Sequence, residues 1–467
     1  MAGNGDASQA PAQGIDGVAN APDGAKTEGD SVVKLRSVQI ENYRAIEGLT
    51  LQFDPQLTVL HGDNAHGKTS VLSAIAVGLG AVPLLLPDVS GIGFLKKDRR
   101  DGRGARVSLT TTDGVSWERT SGFTRSSGWF SQKNDREERP RHPLRELKQW
   151  LESNALRAWG SQVDLPILAF YDTERAVSNL TKRRGLPKGG QSRYAALAGA
   201  LSARTSFREL FEWFYSKENE ELREQRERRD HDYRLNELSV VRTAISSMIE
   251  GIAEPHVELR PLRFVVSERL NGETAAKRTL DQLSGGYQAV LALAADLAWR
   301  MAQGNPHRPD PLASEAISLI DEVELHLHPS WQQRILGDLT RTFPHTQFIV
   351  STHSPQVLTT VQPHRIVELR REDSRIHARQ AGDATFGAKA GDVLATVMGV
   401  DERPSGNRFV QTLDEYTRLV SGGRGESKTA RRLRRELEEL SPHDPALDRA
   451  DIEIRRHRVM QRAGKAE

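Results

Sequence analysis

Apolar side chains follow two patterns along the chain, strict alternation in some segments and continuous runs in others. Alternation from Val33 to Phe53, broken by a short turn, predicts an antiparallel hairpin. The same pattern on both sides of Asp113-Gly114 predicts a second hairpin. Continuous apolar runs are typical of strands that are buried on both faces of a parallel sheet. Four such runs occur, at 57–60, 165–171, 316–320 and 347–350.

Apolar residues at helical spacing predict the helices. A long stretch from Tyr194 to Glu250 has this spacing and includes a polar run at 217–229, which is typical of a solvent-exposed helix with charge pairs four residues apart. Val257 to Arg260 alternates like a strand, but Pro261 cannot donate to a sheet, so we expect an edge strand there at most. Three further helices are predicted at 70–77, 288–301 and 331–342.

The composition is that of a hydrophilic globular protein. Of 467 residues, 27% are charged, and 65 Lys and Arg nearly balance 63 Asp and Glu, so any nucleic-acid binding must come from local basic patches. The absence of cysteine excludes a disulfide framework, a zinc ribbon or a thiol nucleophile and indicates a reducing compartment. The longest apolar stretch, 74–86, is too short for a membrane span of about 20 residues. We expect a cytoplasmic protein with no secretory signal and no membrane partner.

The segment after the first apolar run has the spacing of a phosphate-binding loop. Gly62-x4-Gly67-Lys68-Thr69 lies between a predicted strand and a predicted helix. Glycines let backbone N–H groups face the phosphates, the lysine reaches the β- and γ-phosphates, and the threonine hydroxyl binds Mg²⁺ at a helix N-terminus that favours anions. The alternative is a chance glycine turn, and the strand-then-helix context argues against it. ATP is expected to contact Gly62, Asn64, Gly67, Lys68, Thr69 and Ser70.

Two carboxylates end the apolar run at 316–320. Asp321 is expected to hold Mg²⁺ through its water shell and Glu322 to polarise the attacking water, because in-line phosphoryl transfer needs a metal clamp and a positioned nucleophile. His353 follows the next apolar run and is expected to reach the γ-phosphate, with a core-facing histidine as the alternative. The expected catalytic residues are Lys68, Glu322 and His353, and the expected Mg²⁺ ligands are Thr69 and Asp321.

A third motif, Leu283-Ser284-Gly285-Gly286-Tyr287, precedes the helix predicted at 288–301. Ser284 and the amides of Gly285 and Gly286 would form a second anion site at a helix N-terminus. Ser-Gly-Gly is also an ordinary turn. The motif is informative mainly because it lies 37 residues before Asp321.

Several charged segments allow two interpretations. Basic residues at 96–106, 136–148 and 180–193 are either solvated surface or contacts for a phosphate backbone. Arg175 either stabilises phosphate charge or forms a structural ion pair. The His326-x-His328 pair has no third ligand nearby, so a subunit contact is favoured over a metal site.

Together the motifs resemble the ABC-type ATPase heads of the SMC, RecF and OLD class over most of residues 33–370. The resemblance implies an α/β fold, a P-loop head with a mixed sheet and flanking helices, a helical insertion and a C-terminal helical extension. It also implies that two heads sandwich ATP, with Ser284 and Gly286 of one subunit completing the site on Lys68 of the other. A homodimer or higher homo-oligomer is therefore expected. Similar segments are 62–70 for Walker A, 283–287 for the signature, 317–322 for Walker B and His353 for the switch histidine.

The expected division of the chain follows from this resemblance. It comprises a disordered tail, two halves of the ATPase head with a helical insertion between them, and a C-terminal helical region that docks a partner or a second copy. A plain helical cap is the alternative for the last region. The boundaries are 1–30 for the tail, 31–178 and 257–372 for the head, 179–256 for the insertion and 373–467 for the C-terminal region.

The segment from Asp321 to Trp331, with 348–358 and the C-terminal region, resembles the stand-alone ATPases of the PtuA kind in Septu and retron-linked anti-phage systems. That family pairs its ATPase with a separate HNH-type nuclease. The resemblance implies such a partner, with a retron reverse transcriptase or nucleic acid as further partners. The implied function is that of a nucleotide-gated ATPase that regulates a nuclease.

The alternative function is that of a RecF- or OLD-like DNA-binding ATPase in repair or DNA processing. Basic residues at 96–106 and 180–193 would then contact DNA. After His353 the sequence has neither a clustered acidic set nor a His-Asn-His arrangement, which speaks against a nuclease site in this chain.

Overall fold

The computed structural model of the protein describes residues 34–122, 143–154, 163–173, 192–202, 207–270, 273–382, 385–401, 403–404 and 406–463. The tail predicted at 1–30 and Arg175 lie outside these ranges, as do most of the basic segment at 180–193 and the first part of the one at 136–148.

Thirteen strands occur within the described ranges. They are β1 Leu35–Tyr43, β2 Ile46–Gln52, β3 Leu57–His61, β4 Ala105–Thr111, β5 Ser116–Ser121, β6 Ile167–Tyr171, β7 Ile252–Leu259, β8 Leu262–Leu270, β9 Glu273–Thr279, β10 Ala316–Ile320, β11 Thr346–Thr352, β12 Ile366–Glu372 and β13 Arg375–Gln380.

Thirteen α-helices occur within the same ranges. They are α1 Lys68–Leu79, α2 Ala81–Leu84, α3 Arg145–Asn154, α4 Phe207–Arg228, α5 Asn236–Met248, α6 Gly285–Gly304, α7 Pro329–Gln332, α8 Ile335–Thr342, α9 Pro355–Leu358, α10 Ala390–Thr396, α11 Arg408–Ser421, α12 Lys428–Leu440 and α13 Pro445–Ala463.

A six-stranded mixed sheet forms the centre of the fold, in the order β13-β12-β3-β11-β10-β6. The strands from β12 to β6 run parallel, and β13 is antiparallel to β12. Every residue of β3, β6, β10 and β11 is buried, which confirms the strands predicted from the four apolar runs. The sheet continues past residue 372, where the predicted head ends, because β13 belongs to it.

A second, antiparallel sheet has the order β2-β1-β4-β5, and it confirms both predicted hairpins. Helix α1 packs against β1 and β4 of this sheet and against β11 of the central sheet. Gly78 makes the close approach to β4 possible, since a Cβ atom there would lie 2.7 Å from a methyl carbon of Leu109. The helix that follows the phosphate-binding loop is therefore fixed between the two sheets.

A third sheet, β7-β8-β9, and the helices α4, α5 and α6 complete the main body. β7 lies at the edge of its sheet, as the sequence predicted for 257–260. Helix α6 is buried almost throughout from Val290 onwards and packs along α5. The helices predicted as an insertion therefore contribute to the core of the head.

One helix that was predicted to be continuous is divided in the structure. The segment 331–342 is not a single helix but parts of α7 and α8, which are separate. Arg334 between them has φ −119°, outside the usual range of an α-helix, and its guanidinium binds Asp338 on α8 and Glu250 after α5. Its N–H donates to the carbonyl oxygen of Trp331 on α7 at 3.1 Å, so Arg334 connects α7, α8 and the segment after α5.

Helices α11, α12 and α13 form a helical unit with a hydrophobic core of its own, made by residues such as Leu413, Tyr416 and Leu437. This confirms the C-terminal helical extension that the resemblance implied. In the described ranges, no helix has the combination of length and apolar composition that crossing a bilayer requires.

Candidate functional site

The phosphate-binding loop leaves β3 at His61 and ends where α1 begins at Lys68. Gly62 has φ +150° and Gly67 has φ +90°, conformations that L side chains rarely adopt. A Cβ atom at Gly62 would also lie 2.3 Å from the carbonyl oxygen of Leu369 on β12. Glycine is therefore required at both ends of the loop.

Lys68 is almost wholly buried, and its ammonium donates to the carbonyl oxygens of Gly62 at 2.7 Å and Asp63 at 2.9 Å. These bonds hold the side chain within the curve of its own loop. Asn64 and Thr69 are exposed and Ser70 is half-buried, all on the loop or the first turn of α1. The N-terminal amides of α1 and these side chains face the same end of the helix, where its dipole favours an anion.

The acidic pair lies at the carboxyl end of β10, as predicted. Asp321 is buried, and its amide donates to the carbonyl oxygen of Tyr171 on β6 at 2.8 Å. The Ser351 hydroxyl on β11 donates to the Asp321 carboxylate and accepts the Glu322 N–H at 2.8 Å. Glu322 has φ +47°, a conformation that costs energy for a residue other than glycine. The backbone is therefore held in a strained geometry at the residue expected to act on water.

His353 follows β11, and its amide donates to the Glu324 carboxylate at 2.5 Å. Burial and the nearby Lys68 ammonium lower the pKa of His353, while Glu324, Glu322 and Asp321 act in the opposite direction. The imidazole is therefore neutral at pH 7. A neutral imidazole can donate through one nitrogen and accept through the other.

Five side chains from three segments form one electrostatic group, which we call the Lys68 cluster. Burial lowers the pKa of the Lys68 ammonium, although the carboxylates of Asp321, Glu322, Asp63 and Glu324 all act to raise it. The same carboxylates except Asp63 act on His353. The structure thus brings together the predicted catalytic residues and adds Glu324. The members are Lys68, Asp321, Glu322, Glu324 and His353.

The Lys68 cluster suits Mg²⁺ and a triphosphate. Three carboxylates face one ammonium, so the cluster has an excess of negative charge that a divalent cation would balance. One buried oxygen of Glu324 has no hydrogen-bond partner among the residues that the structure describes. No group of three His, Cys, Asp or Glu side chains in the described part of the chain has the spacing of a complete metal site. A magnesium ion held by Thr69 and Asp321 would therefore take its other ligands from water and phosphate, as this ion usually does.

Two residues of the site were not identified from the sequence. Ser351 precedes His353 by two residues, and Glu324 follows Glu322 by two residues. Neither was predicted as a site residue. Neighbouring parallel strands that both end in polar residues are the signal for such contacts, because their carboxyl ends meet at one edge.

The signature-like motif lies at the start of α6. Ser284 is the N-cap residue with extended backbone angles, but its side chain makes no capping hydrogen bond and is exposed. A Cβ atom at Gly286 would lie 2.8 Å from the carbonyl oxygen of His326, so the motif packs directly on the segment after Glu322. Within the described residues, no hydrogen bond or ion pair joins Ser284, Gly285 or Gly286 to Lys68.

The two histidines of the His326-x-His328 pair lie in different environments. His326 is exposed and has φ +65°. His328 is exposed and caps α7, since its Nδ1 accepts the Ser330 N–H at 3.3 Å. The capping bond accounts for His328 without a metal.

A buried polar group connects α6 to the acidic strand. Asp296 on α6 accepts the Tyr171 hydroxyl at 2.9 Å and the Arg300 guanidinium at 2.8 Å. Arg300 also donates to the carbonyl oxygen of Ala196 at 2.7 Å. Because Tyr171 is also the backbone partner of Asp321, the signature helix and the acidic pair are held through one residue.

The chain matches two protein-family profiles and several known proteins. A protein-family profile described as "AAA domain, putative AbiEii toxin, Type IV TA system" matches residues 57–359, and one described as "AAA ATPase domain" matches residues 34–79. The chain is similar to "Retron Ec83 probable ATPase" of Escherichia coli, with 27% identity over 487 aligned residues that cover 90% of this chain and 86% of that protein.

Two shorter or more distant likenesses were also found. The chain is 38% identical over 96 residues to "Septu protein PtuA" of Bacillus mycoides, covering 21% of this chain and 13% of that protein. A solved structure, "Crystal structure of the SmcHead bound to the C-winged helix domain of ScpA", aligns with a TM-score of 0.40 and 14% identity, covering 74% of this chain and 97% of that one.

These comparisons confirm the resemblance to ATPases that are linked to retron and Septu systems. The AAA profile spans well over half of the chain and contains the phosphate-binding loop, the acidic pair and His353. The chain therefore belongs to the family described as AAA domain, putative AbiEii toxin, Type IV TA system.

Proposed function

We propose that the protein binds ATP with Mg²⁺ at the Lys68 cluster and hydrolyses it. The observation that carries this proposal is the convergence of a buried lysine, three carboxylates and a neutral histidine beside the phosphate-binding loop. A phosphoryl transfer site needs cations and dipoles on the phosphates, a metal ligand and a group that positions water. The cluster contains a candidate for each task.

The position of each side chain in the site indicates its role in ATP hydrolysis. Lys68 exchanges its bonds to two loop carbonyls for bonds to the β- and γ-phosphates. Thr69 and Asp321 would hold Mg²⁺, which would supply positive charge to the phosphates. Glu322 orients and deprotonates the attacking water, and Ser351 holds its backbone amide. His353 contacts the γ-phosphate.

Two copies of the chain complete each site. Ser284 is exposed at the N-terminus of α6, and its hydroxyl is not used to cap its own helix. Ser284 and Gly286 of one copy therefore remain available to bind the γ-phosphate held by Lys68 of the other. ATP binding then joins the two copies, and hydrolysis separates them.

The dimer is tested by measuring molar mass by light scattering with and without ATP and Mg²⁺, in the Glu322→Gln background that retains ATP. The mass is expected to double with ATP. Adding Ser284→Arg is expected to abolish the increase, whereas Ser246→Arg at an exposed serine of α5 serves as the control and leaves it intact. An ATP-induced increase that survives Ser284→Arg would rule out this arrangement.

We further infer that the ATPase regulates a separate HNH-type nuclease in anti-phage defence. Support comes from the similarity to ATPases named for retron and Septu systems, and from a C-terminal helical unit with its own core, which is suited to docking. The test is co-expression with the neighbouring genes and purification of the complex. A copurifying nuclease whose cutting changes with Glu322→Gln is the expected result.

Purification of the chain alone, with hydrolysis that is stimulated by DNA, would instead favour the RecF- or OLD-like function. Part of the basic segment expected to serve that function is used internally. Arg100 donates to the carbonyl oxygen of Ala45 at 3.1 Å and lies 3.7 Å from the Asp101 carboxylate.

A further inference from the structure

Helix α12 carries four basic residues on one face, which we call the basic stripe: Lys428, Arg431, Arg432 and Arg435. Their spacing of three, one and three residues places them side by side along the helix. All four are exposed, whereas Ala430, Leu433 and Leu437 on the opposite face are buried in the core of the helical unit. The orientation of the stripe towards solvent is thus fixed by packing.

The other arginines around α12 are neutralised by carboxylates. Arg434 binds Glu438 at 2.8 Å and Asp451 at 2.9 Å, and Arg408 binds Glu436 at 2.7 Å. Arg403 binds Asp444, and Arg458 binds Glu426. These five carboxylates are therefore paired with arginines outside the stripe.

The basic stripe itself has no ion pair within the described ranges. Two exposed carboxylates, Glu438 and Glu439, lie at the C-terminal end of the same face, three and four residues after Arg435, and Glu438 is paired with Arg434. Like charges three or four residues apart destabilise a helix. An arrangement that pairs the surrounding arginines and leaves this row unpaired favours an anionic ligand with repeated charges.

The dimensions of the stripe match a nucleic-acid backbone. Seven residues of helix rise by about 10 Å. One strand of duplex DNA places a phosphate about every 3.4 Å along the axis. The stripe therefore spans about three phosphates of one strand, and its three guanidinium groups can each bind a phosphate through two N–H donors.

The stripe suits a protein partner or a membrane less well. Protein interfaces obtain most of their binding energy from aromatic and apolar anchors, and this face presents only charged side chains. A membrane-surface helix inserts its apolar face into the bilayer, but the apolar face of α12 packs against α11 and α13. The exposed apolar residues Ile452, Val459 and Met460 lie on α13 instead.

We propose that the basic stripe of α12 binds the phosphate backbone of nucleic acid without reading its base sequence. This inference does not depend on ATP hydrolysis, because none of its residues belongs to the Lys68 cluster. For a nuclease-regulating ATPase, such a surface would hold the nucleic acid that the complex detects or cuts.

The test compares two triple variants of the full-length protein that each remove three exposed guanidinium charges. Arg431→Gln, Arg432→Gln and Arg435→Gln neutralise the stripe. Arg223→Gln, Arg226→Gln and Arg229→Gln neutralise two exposed arginines in the last turns of α4 and one directly after it, where Glu224 and Glu227 intervene. Glutamine keeps helix propensity close to that of arginine, so both variants are expected to fold.

Binding to a fluorescently labelled 30-base-pair duplex is measured by anisotropy between 50 and 200 mM NaCl. The stripe variant is expected to lose at least 10-fold in affinity at the lower salt concentration. The slope of log K against log[salt] should fall by about 3, since each phosphate contact contributes about 0.9. The α4 variant should stay within about twofold of the parent protein, and a second duplex of unrelated sequence should bind equally well.

Several results would overturn the proposal. One is a parent protein that binds no duplex and no single strand of the same length. Another is an equal loss in both triple variants, because the effect would then be one of overall charge. Stripe-dependent binding to phosphatidylserine vesicles without binding to either oligonucleotide would assign the surface to a membrane instead.

Discussion

Replacement of Asp296 by asparagine tests whether the buried group between α6 and β6 holds the site together. Asp296 is fully buried, and its carboxylate accepts hydrogen bonds from Tyr171 and Arg300. Burial alone lowers the pKa of Arg300, but Asp296 and Tyr171 raise it above its ordinary value, so Arg300 remains charged. Asparagine keeps the shape and an acceptor for Tyr171 but leaves the Arg300 charge without its counter-ion.

The expected loss in the free energy of unfolding follows from the burial of Arg300. Only 3% of the Arg300 side chain is exposed, and breaking a buried ion pair from one side costs about 3–5 kcal/mol. If the roughly 370 described residues unfold together, the unfolding entropy is about 0.8 kcal/mol/K, from roughly 2.1 cal/mol/K per residue. The melting temperature should therefore fall by about 3–6 °C.

The assay is thermal unfolding followed by calorimetry at fixed protein concentration, with Asp338→Asn as the matched control. Asp338 forms an i,i+4 pair of the opposite order with Arg334, at 2.7 Å against 2.8 Å for Asp296 and Arg300, and it also pairs with Arg341 at 2.7 Å. The side chains of Arg334 and Arg341 are 38% and 62% exposed, so both remain hydrated when Asp338 is lost. The control should cost no more than about 1 kcal/mol, which is about 1 °C.

A double variant separates the lost pair from a general packing defect. Removing both charges with Asp296→Asn and Arg300→Met should restore part of the lost stability, since no buried charge remains unpaired. An Asp296→Asn melting temperature within 1 °C of the parent protein, or equal to that of Asp338→Asn, would refute the reasoning.

Two further predictions concern Ser351 and His61, which both interact with members of the Lys68 cluster. Ser351→Ala removes the hydroxyl that joins Asp321 to the Glu322 amide and should lower ATP turnover by about 10- to 100-fold. Ser318→Ala changes a buried serine of β10 whose hydroxyl has no hydrogen-bond partner in the described part of the chain, and it should leave turnover unchanged. Equal effects of the two substitutions would contradict the role assigned to Ser351.

Burial, assisted by Lys68 and opposed by Glu368, lowers the pKa of His61 below 6.5. Below pH 6.5 the unfolded state therefore binds more protons than the folded state, and the free energy of unfolding falls as the pH falls further. Denaturant midpoints at pH 7.5 and 5.5 should show this loss, and His61→Asn should reduce it; an unchanged pH dependence in that variant would exclude His61 as a contributor.

The sequence predicted the features that are encoded locally. The buried strands follow from continuous apolar runs, and the phosphate-binding loop follows from glycines that the backbone requires at 62 and 67. The helix at 288–301 follows from its apolar spacing, although the structure begins it at Gly285 because the motif glycines form its first turn.

Features that depend on which strands are neighbours could not be predicted. The parallel register of Ile320 with Val350 places Asp321 beside Ser351, and no local pattern reveals that pairing. Strand β9 has the sequence ETAAKRT, without apolar alternation, and forms because β8 offers it an edge. Tyr171 meets Asp296 from 125 residues away.

The most direct test of the account is ATP binding and turnover by Glu322→Gln beside the parent protein. Binding of labelled ATP should stay within about threefold of the parent value, because Lys68 and the loop are intact. Hydrolysis should fall by at least 100-fold, since loss of a general base costs about 10² to 10⁴ in rate. Turnover within twofold of the parent protein, with Lys68→Ala still abolishing binding, would contradict the central role given to Glu322.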